Sequence, residues 1–137
     1  MDNVLIIIPT YNEKNNIVRL INNLLELEVN ILIVDDNSPD KTYDEVKKYF
    51  ENNEKINILI REKKQGLGSA YREGFQWGLD NNFEYLVEMD ADFSHQVSDL
   101  EALLLKRNEK KIVLGSRYVT QGKVIGWSRR RALLSKL

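Results

Sequence analysis

Asp90-Ala91-Asp92 ends the apolar run Tyr85-Leu86-Val87-Glu88-Met89 with two carboxylates one residue apart. In an extended backbone alternate side chains share a face, so this spacing aims Asp90 and Asp92 at one point. Two hard anionic oxygens there suit magnesium or manganese, particularly where a diphosphate supplies the remaining ligands and the charge to be neutralised. An aspartate at a strand end also commonly caps the next helix, so the pair gains its meaning from its company.

That company is a series of polar clusters, each following a short apolar run. Pro9-Thr10-Tyr11-Asn12-Glu13 follows Val4 to Ile8, and Asp35-Asp36-Asn37-Ser38 follows Ile31 to Val34. Arg61 to Gly68 follows Ile56 to Ile60, and Gly115-Ser116-Arg117-Tyr118 follows Ile112 to Leu114. Tyr11 and Glu13 offer an aromatic face and a carboxylate, which suit a nucleobase by stacking and by accepting N–H donors. Glu13 equally suits the first turn of a helix through the helix dipole. Arg117 and Arg129-Arg130-Arg131 supply cationic forks that match phosphate; for Arg129 and Arg130 a solvated basic face is the simpler account. The stretch from Trp127 to Leu137, with Leu133 and Leu134 among basic residues, suits either core packing or an anionic membrane surface.

The elements that must position these residues alternate strand and helix. Val4 to Ile8 reads as a strand buried on both faces, Ile31 to Val34 as a second buried strand, and Ile56 to Ile60 as a third strand. Between them Ile17, Leu20, Ile21, Leu24 and Leu25 fall on one helical face, with Asn12 expected as N-cap. Further helices are expected through Val46, Tyr49 and Phe50, after Gly68, and over Leu100 to Lys106. Five strands, the fourth at Tyr85–Met89 and the fifth at Ile112–Leu114, predict a parallel α/β sheet with ligands at the carboxyl ends of its strands.

At 137 residues and 42% hydrophobic the chain suits one domain, and a net charge of -1 gives no global field for nucleic acid. The absence of cysteine excludes disulfides and thiolate chemistry. No apolar run is long enough to span a bilayer, and Asp2 with no basic flank argues against a signal peptide; a soluble or peripheral chain is expected. Gly66-Leu67-Gly68-Ser69-Ala70-Tyr71 is no dinucleotide fingerprint, because Tyr71 stands at the third glycine position and the loop follows the third strand. Its glycines instead allow close backbone approach at a helix start.

Taken in order, these blocks resemble the family 2 glycosyltransferases of GT-A fold, and among them the dolichyl-phosphate mannose synthase group. The resemblance rests on Pro9-Thr10-Tyr11-Asn12-Glu13, Val34 to Asp40 with Thr42, Arg61 to Lys64 with Gly66-Leu67-Gly68 and Ala70-Tyr71, Met89 to His95, Gly115 to Tyr118, and Gly126-Trp127 with Arg131 and Ser135. Gln96-Val97 stands where the family usually has a proline, and only Gly122 remains of a usual glycine pair.

The resemblance implies a Rossmann-like, mostly parallel sheet flanked by helices. It implies one catalytic domain over residues 1–137, comprising the donor half and the start of the acceptor half, since Leu137 precedes the family's Asp-x-Thr-Ser-Gly-Phe-Arg motif. Pro9, Tyr11, Glu13, Asp36, Lys64, Asp90 and Ala91 are implied in binding the nucleotide sugar. Asp90, Asp92 and Ser94 are implied at a divalent cation, magnesium or manganese, with His95 either supporting that shell or hydrogen-bonding its loop. Asp92, Arg117 and Arg131 are implied in catalysis. Asp35 would face away from Asp36 and serve the fold, while Asn37, Ser38 and Asp40 are turn residues.

The implied reaction is inverting transfer of a hexose, mannose from GDP-mannose above others, to dolichyl or another polyprenyl phosphate. The implied setting is the cytoplasmic face of a membrane, held peripherally. The rivals are a family 2 enzyme using a UDP-sugar, with a polyprenyl-phosphate or saccharide acceptor, and a non-catalytic fragment that binds nucleotide and metal.

Overall fold

A computed structural model describes residues 2–107, 112–114, 128 and 131. Its elements alternate as expected: β1 (Val4–Thr10), α1 (Lys14–Leu25), β2 (Asn30–Asp35), α2 (Thr42–Phe50), β3 (Ile56–Ile60), α3 (Leu67–Asp80), β4 (Tyr85–Glu88) and α4 (Val97–Leu105). All strand pairings are parallel, in the order β3-β2-β1-β4.

The two-residue period of the strands divides the core. Val4, Ile6, Ile8, Ile31 and Ile33 pack on one side with Ile17, Leu20, Ile21 and Leu24 of α1, Val46 of α2, and Leu100 and Leu104 of α4. Leu5, Ile7, Leu32 and Val34 face the other side, against Ala70 and Tyr71 of α3. Since β1 and β2 are covered on both faces, they read as unbroken apolar runs with no polar alternation.

Helix α3 lies close to the sheet because its inner face is small. A Cβ on Gly74 would stand 2.4 Å from Ile7 Cγ2, and one on Gly78 would stand 2.6 Å from Leu86 Cδ2. Either addition would force the helix or the strand to shift.

Pro9 continues β1 without ending it. It pairs in register with Val34, and the next residue, Thr10, accepts the Asp36 N–H through its carbonyl. On the opposite edge, where Ile7 accepts the Met89 N–H, pairing with β4 ends at Ile7. The backbone alternates, so Pro9 lacks its N–H on an edge where the ladder has already ended.

Three expectations are corrected. Asn12 does not cap α1: its backbone is left-handed at φ 60°, Glu13 holds the N-cap position, and the Asn12 amide oxygen instead accepts the Asp40 N–H at 3.2 Å. Ile112–Leu114 forms no strand; it has no ladder partner among the described residues, with Ile112 90% and Leu114 81% exposed. An apolar triplet has strand propensity but becomes a strand only where an edge receives it. Helix α4 starts at Val97, three residues before Leu100, since Gln96 is the last extended residue.

The connectivity places the crevice. The chain steps from β1 to β2 to β3 in one direction, then returns through α3 to put β4 on the other side of β1. Connections therefore diverge between the carboxyl ends of β1 and β4, the switch point at which open parallel sheets bind ligands.

Candidate functional site

Asp35 anchors the rim. Fully buried at the end of β2, it accepts the Thr10 hydroxyl at 2.7 Å, the Ser38 N–H at 2.8 Å and the Ser38 hydroxyl at 2.7 Å. Its expected structural role is met, and it spends its acceptors on the ends of β1 and β2 and on the loop between β2 and α2.

That loop is laced to the one after β1. The Asn12 N–H donates to Ser38 Oγ at 3.0 Å, and the Lys14 N–H donates to Asp40 Oδ2 at 3.1 Å. The Glu13 N–H donates to Thr42 Oγ1 at 3.0 Å, while the Thr42 hydroxyl donates to Asp40 Oδ1. Free N–H groups at the start of α1 are thus satisfied from a second loop, not by a local cap. Asn12, Asn37 and Lys41 all have left-handed backbones, which asparagine tolerates better than most residues. The lacing presents Tyr11, 39% exposed, on the rim; the Glu13 carboxylate, beside it, accepts from the Asn16 side chain at 2.9 Å.

Lys64 reaches the same place from the loop after β3. Its ammonium sits 4.1 Å from the centre of the Tyr11 ring, a cation–π contact between two residues that the family resemblance implies in binding the nucleotide sugar.

Asp36 is buried against Arg61, with Arg61 Nε 3.2 Å from Asp36 Oδ1. Arg61 also donates to Ser69 Oγ at 3.1 Å and lies 3.5 Å from Glu73. Burial holds the Asp36 carboxyl above the usual aspartate range, and the Arg61 guanidinium pulls against it. Arg61 Nη1 is buried without a hydrogen-bond partner among the described residues. A polar atom left so is costly unless water or a ligand completes it. Arg61 was legible as part of a motif, but its burial and its partner were not.

Beyond β4 the chain bends. The carboxylates of Asp90 and Asp92 stand in this loop and not in the strand, which stops at Glu88, so the premise of an extended backbone through Asp92 is corrected. Alternation still holds locally: Met89 and Ala91 enter the core on the side of α1 and α4, and Asp90 turns toward α3. With its side chain buried, Ala91 has only its backbone to offer a ligand. The Tyr71 hydroxyl donates to Asp90 Oδ1 at 2.9 Å. Asp92 Oδ1 accepts the Ser94 N–H at 2.9 Å across Phe93, whose φ is 60°. Phe93 packs on the core under the guanidinium of Arg19, 4.1 Å from its ring centre. The Ser94 hydroxyl and N–H hold the Asp92 carboxyl below its usual range. Ser94 therefore acts on Asp92, and His95 Nδ1 accepts the Asp90 N–H at 3.4 Å, a bond within its own loop.

Among the described residues no three His, Cys, Asp or Glu side chains gather at a metal-ligand spacing. The two carboxylates, each held by a protein donor, fit a hard cation that takes its other ligands from a diphosphate. Arg117 lies outside the described residues. Arg131 is exposed, and its N–H donates to Ser128 Oγ at 3.3 Å.

The chain is 42% identical over 134 residues to an undecaprenyl-phosphate mannosyltransferase of Micrococcus luteus, covering 96% of this chain and 55% of that protein. It is 42% identical over 138 residues to a polyprenol monophosphomannose synthase of Mycolicibacterium smegmatis, covering 96% and 51%. It is 38% identical over 138 residues to a dolichol-phosphate mannosyltransferase of Pyrococcus furiosus, covering 97% and 38%. The chain thus spans about half the length, or less, of the curated relatives it matches. Among solved structures it is similar to a mannosyltransferase of Pyrobaculum calidifontis in complex with GDP-Man and Mn2+, with TM-score 0.58 and 25% identity over 66% of this chain and 27% of the other. The α/β fold of GT-A type expected from the sequence is therefore present. Residues 5–136 match the sequence pattern of Glycosyl transferase family 2, and the chain belongs to that family.

Proposed function

We propose that this chain carries the donor site of a glycosyltransferase that moves mannose from GDP-mannose to a polyprenyl phosphate. The observation that carries the reading is the gathering of Tyr11, Glu13, Asp36, Lys64, Asp90 and Asp92 at neighbouring strand ends around one switch point. The substrates are taken from the relatives, whose names specify polyprenyl-phosphate mannosyl transfer, and from the structural neighbour bound to GDP-Man and Mn2+.

In this reading the base and ribose lie against Pro9, Tyr11 and Glu13, with Asp36 and its partner Arg61 completing the base end. The buried Arg61 Nη1, which has no hydrogen-bond partner among the described residues, favours a polar ligand there. Asp90 and Asp92, assisted by Ser94, hold a divalent cation, with manganese or magnesium both suited to oxygen ligands. That ion supplies charge neutralisation for the departing nucleoside diphosphate. Lys64 adds a cation near the donor, and the Ala91 backbone lines the sugar side.

A phosphate acceptor is already anionic near neutral pH, so it needs orientation more than it needs a strong base. Arg117 and Arg131 would orient it for in-line attack at the anomeric carbon, inverting that centre. His95 is occupied by its own loop, in keeping with a reaction that asks for no histidine base. A lipid acceptor places the protein peripherally at a membrane, on the cytoplasmic face where nucleotide sugars are available; no helix among the described residues is long and apolar enough to cross one.

The test is a binding and transfer comparison. GDP or GDP-mannose with Mn2+ should raise the thermal midpoint more than UDP or UDP-sugars do, by mass action on the native state. Labelled mannose should pass from GDP-mannose into a lipid-extractable phosphate, in the natural gene product that contains this chain. Equal shifts with GDP and UDP would move the assignment to another family 2 donor, and binding without transfer would make the protein a nucleotide-binding module.

A further inference from the structure

Tyr71 is buried in α3, packed with Leu5, Ile7, Leu32 and Val34, and its ring stacks on Phe75 at 6.4 Å between centroids. Its hydroxyl nevertheless reaches the loop beyond β4 and donates to Asp90 Oδ1 at 2.9 Å. The reach depends on Gly74 and Gly78, which let α3 lie directly on β1 and β4. A tyrosine has two side-chain torsions, and here the core fixes both, so its oxygen is a rigid post.

We infer that Tyr71 is a positioning residue for the Asp90 carboxylate, holding one oxygen so that the other faces the cation and diphosphate. The Tyr71 hydroxyl has the carboxylate as acceptor, so toward Asp90 it acts as a donor. A carboxylate with Oδ1 engaged cannot swing freely about its last torsion. Among the described residues no hydrogen bond is made to Asp90 Oδ2. The arrangement at Asp92 is parallel, with Oδ1 taken by the Ser94 N–H. Each carboxylate is thus held by a protein donor, Asp90 from α3 and Asp92 from its own loop. Outer partners of this kind orient ligands and strengthen metal binding.

The inference rests on reading Asp90 and Asp92 as the cation site, and its test separates the two claims. Mn2+ affinity is measured in the presence of saturating GDP by the electron paramagnetic resonance signal of free Mn2+, and GDP affinity without metal by calorimetry. Tyr71→Phe, which keeps the ring and removes the hydroxyl, should weaken Mn2+ binding by about tenfold or more. Metal-free GDP binding should stay within about twofold of wild type, in keeping with a contact made only to Asp90. Phe75→Leu controls for packing of the ring; it should cost stability and leave Mn2+ affinity near wild type. If Asp90→Asn and Asp92→Asn weaken Mn2+ binding while Tyr71→Phe does not, the positioning role is overturned and the site stands. An equal loss in Tyr71→Phe and Phe75→Leu overturns it as well, since the hydroxyl would then have no special part. If neither aspartate variant changes Mn2+ affinity, the cation site and the role of Tyr71 fall together.

Discussion

The Thr10 hydroxyl donates to Asp35 Oδ2 over 2.7 Å, both residues are buried, and the bond joins the ends of two adjacent parallel strands beneath the candidate site. Asp35 also holds Ser38, which in turn accepts from Asn12, so one carboxylate supports both loops that carry Tyr11, Glu13 and Asp36.

Asp35→Ala should therefore destabilise the fold by about 2–4 kcal/mol, because the buried donors of Thr10 and Ser38 lose their acceptor. Urea unfolding followed by circular dichroism measures it. A loss below about 0.5 kcal/mol would mean that the rim is held by other contacts.

The pair Asp36–Arg61 makes a pH prediction. Burial raises the Asp36 carboxyl above the ordinary value of 3.8, and Arg61 is the largest influence lowering it. An acid whose folded value is raised favours the folded state while protonated. Its contribution is complete below the ordinary value and is lost as pH rises through the folded one. Relative to Asp36→Asn, the wild type should lose stability across that window. Arg61→Met should move the Asp36 midpoint, read by carboxyl carbon NMR, further upward; an unchanged or lower midpoint would contradict the pairing.

Tyr11 is half-exposed on the rim, and its ring contacts Lys64 and no core cluster. Tyr11→Leu should leave the unfolding midpoint nearly unchanged. GDP binding should weaken by about 1–3 kcal/mol, the range for a base stacked on an aromatic ring. Calorimetry with GDP and Mn2+ decides; undiminished affinity would remove the base from this ring.

Asp92 is exposed, and an asparagine in its place keeps an oxygen for the Ser94 N–H. Asp92→Asn should change stability by no more than about 0.5 kcal/mol, as surface substitutions commonly do. Mannose transfer by the natural gene product should fall by roughly two orders of magnitude or more, the scale seen when one stabilising group is removed from a charged transition state. Near wild-type turnover would place the reacting charge elsewhere.

Much of the fold was legible because local pattern determines it. Val4–Ile8, Ile31–Val34 and Ile56–Ile60 are short β-branched runs between polar loops, and each is a parallel strand or the centre of one. The Ile17-Leu20-Ile21-Leu24 spacing is a buried helical face as expected. The polar residues after these runs lie on one rim because parallel strands share a direction, so that each strand end carries its loop to the same side.

What local pattern could not determine was which loops and helices meet. Asn12 had the chemistry of a cap, but the groups that accept from the start of α1 come from Asp40 and Thr42, more than twenty residues away. Ile112–Leu114 had the composition of a strand but pairs with no strand among the described residues. Arg61 and Tyr71 stood in plain view within motifs, yet their service to Asp36 and Asp90 depends on how closely α3 approaches the sheet and on the return of β4 beside β1. Residue type and period determined which segments are buried and which rim residues can do chemistry. Only the tertiary packing decided which partner holds each carboxylate, because a hydrogen bond forms between atoms brought within about 3 Å by the whole fold.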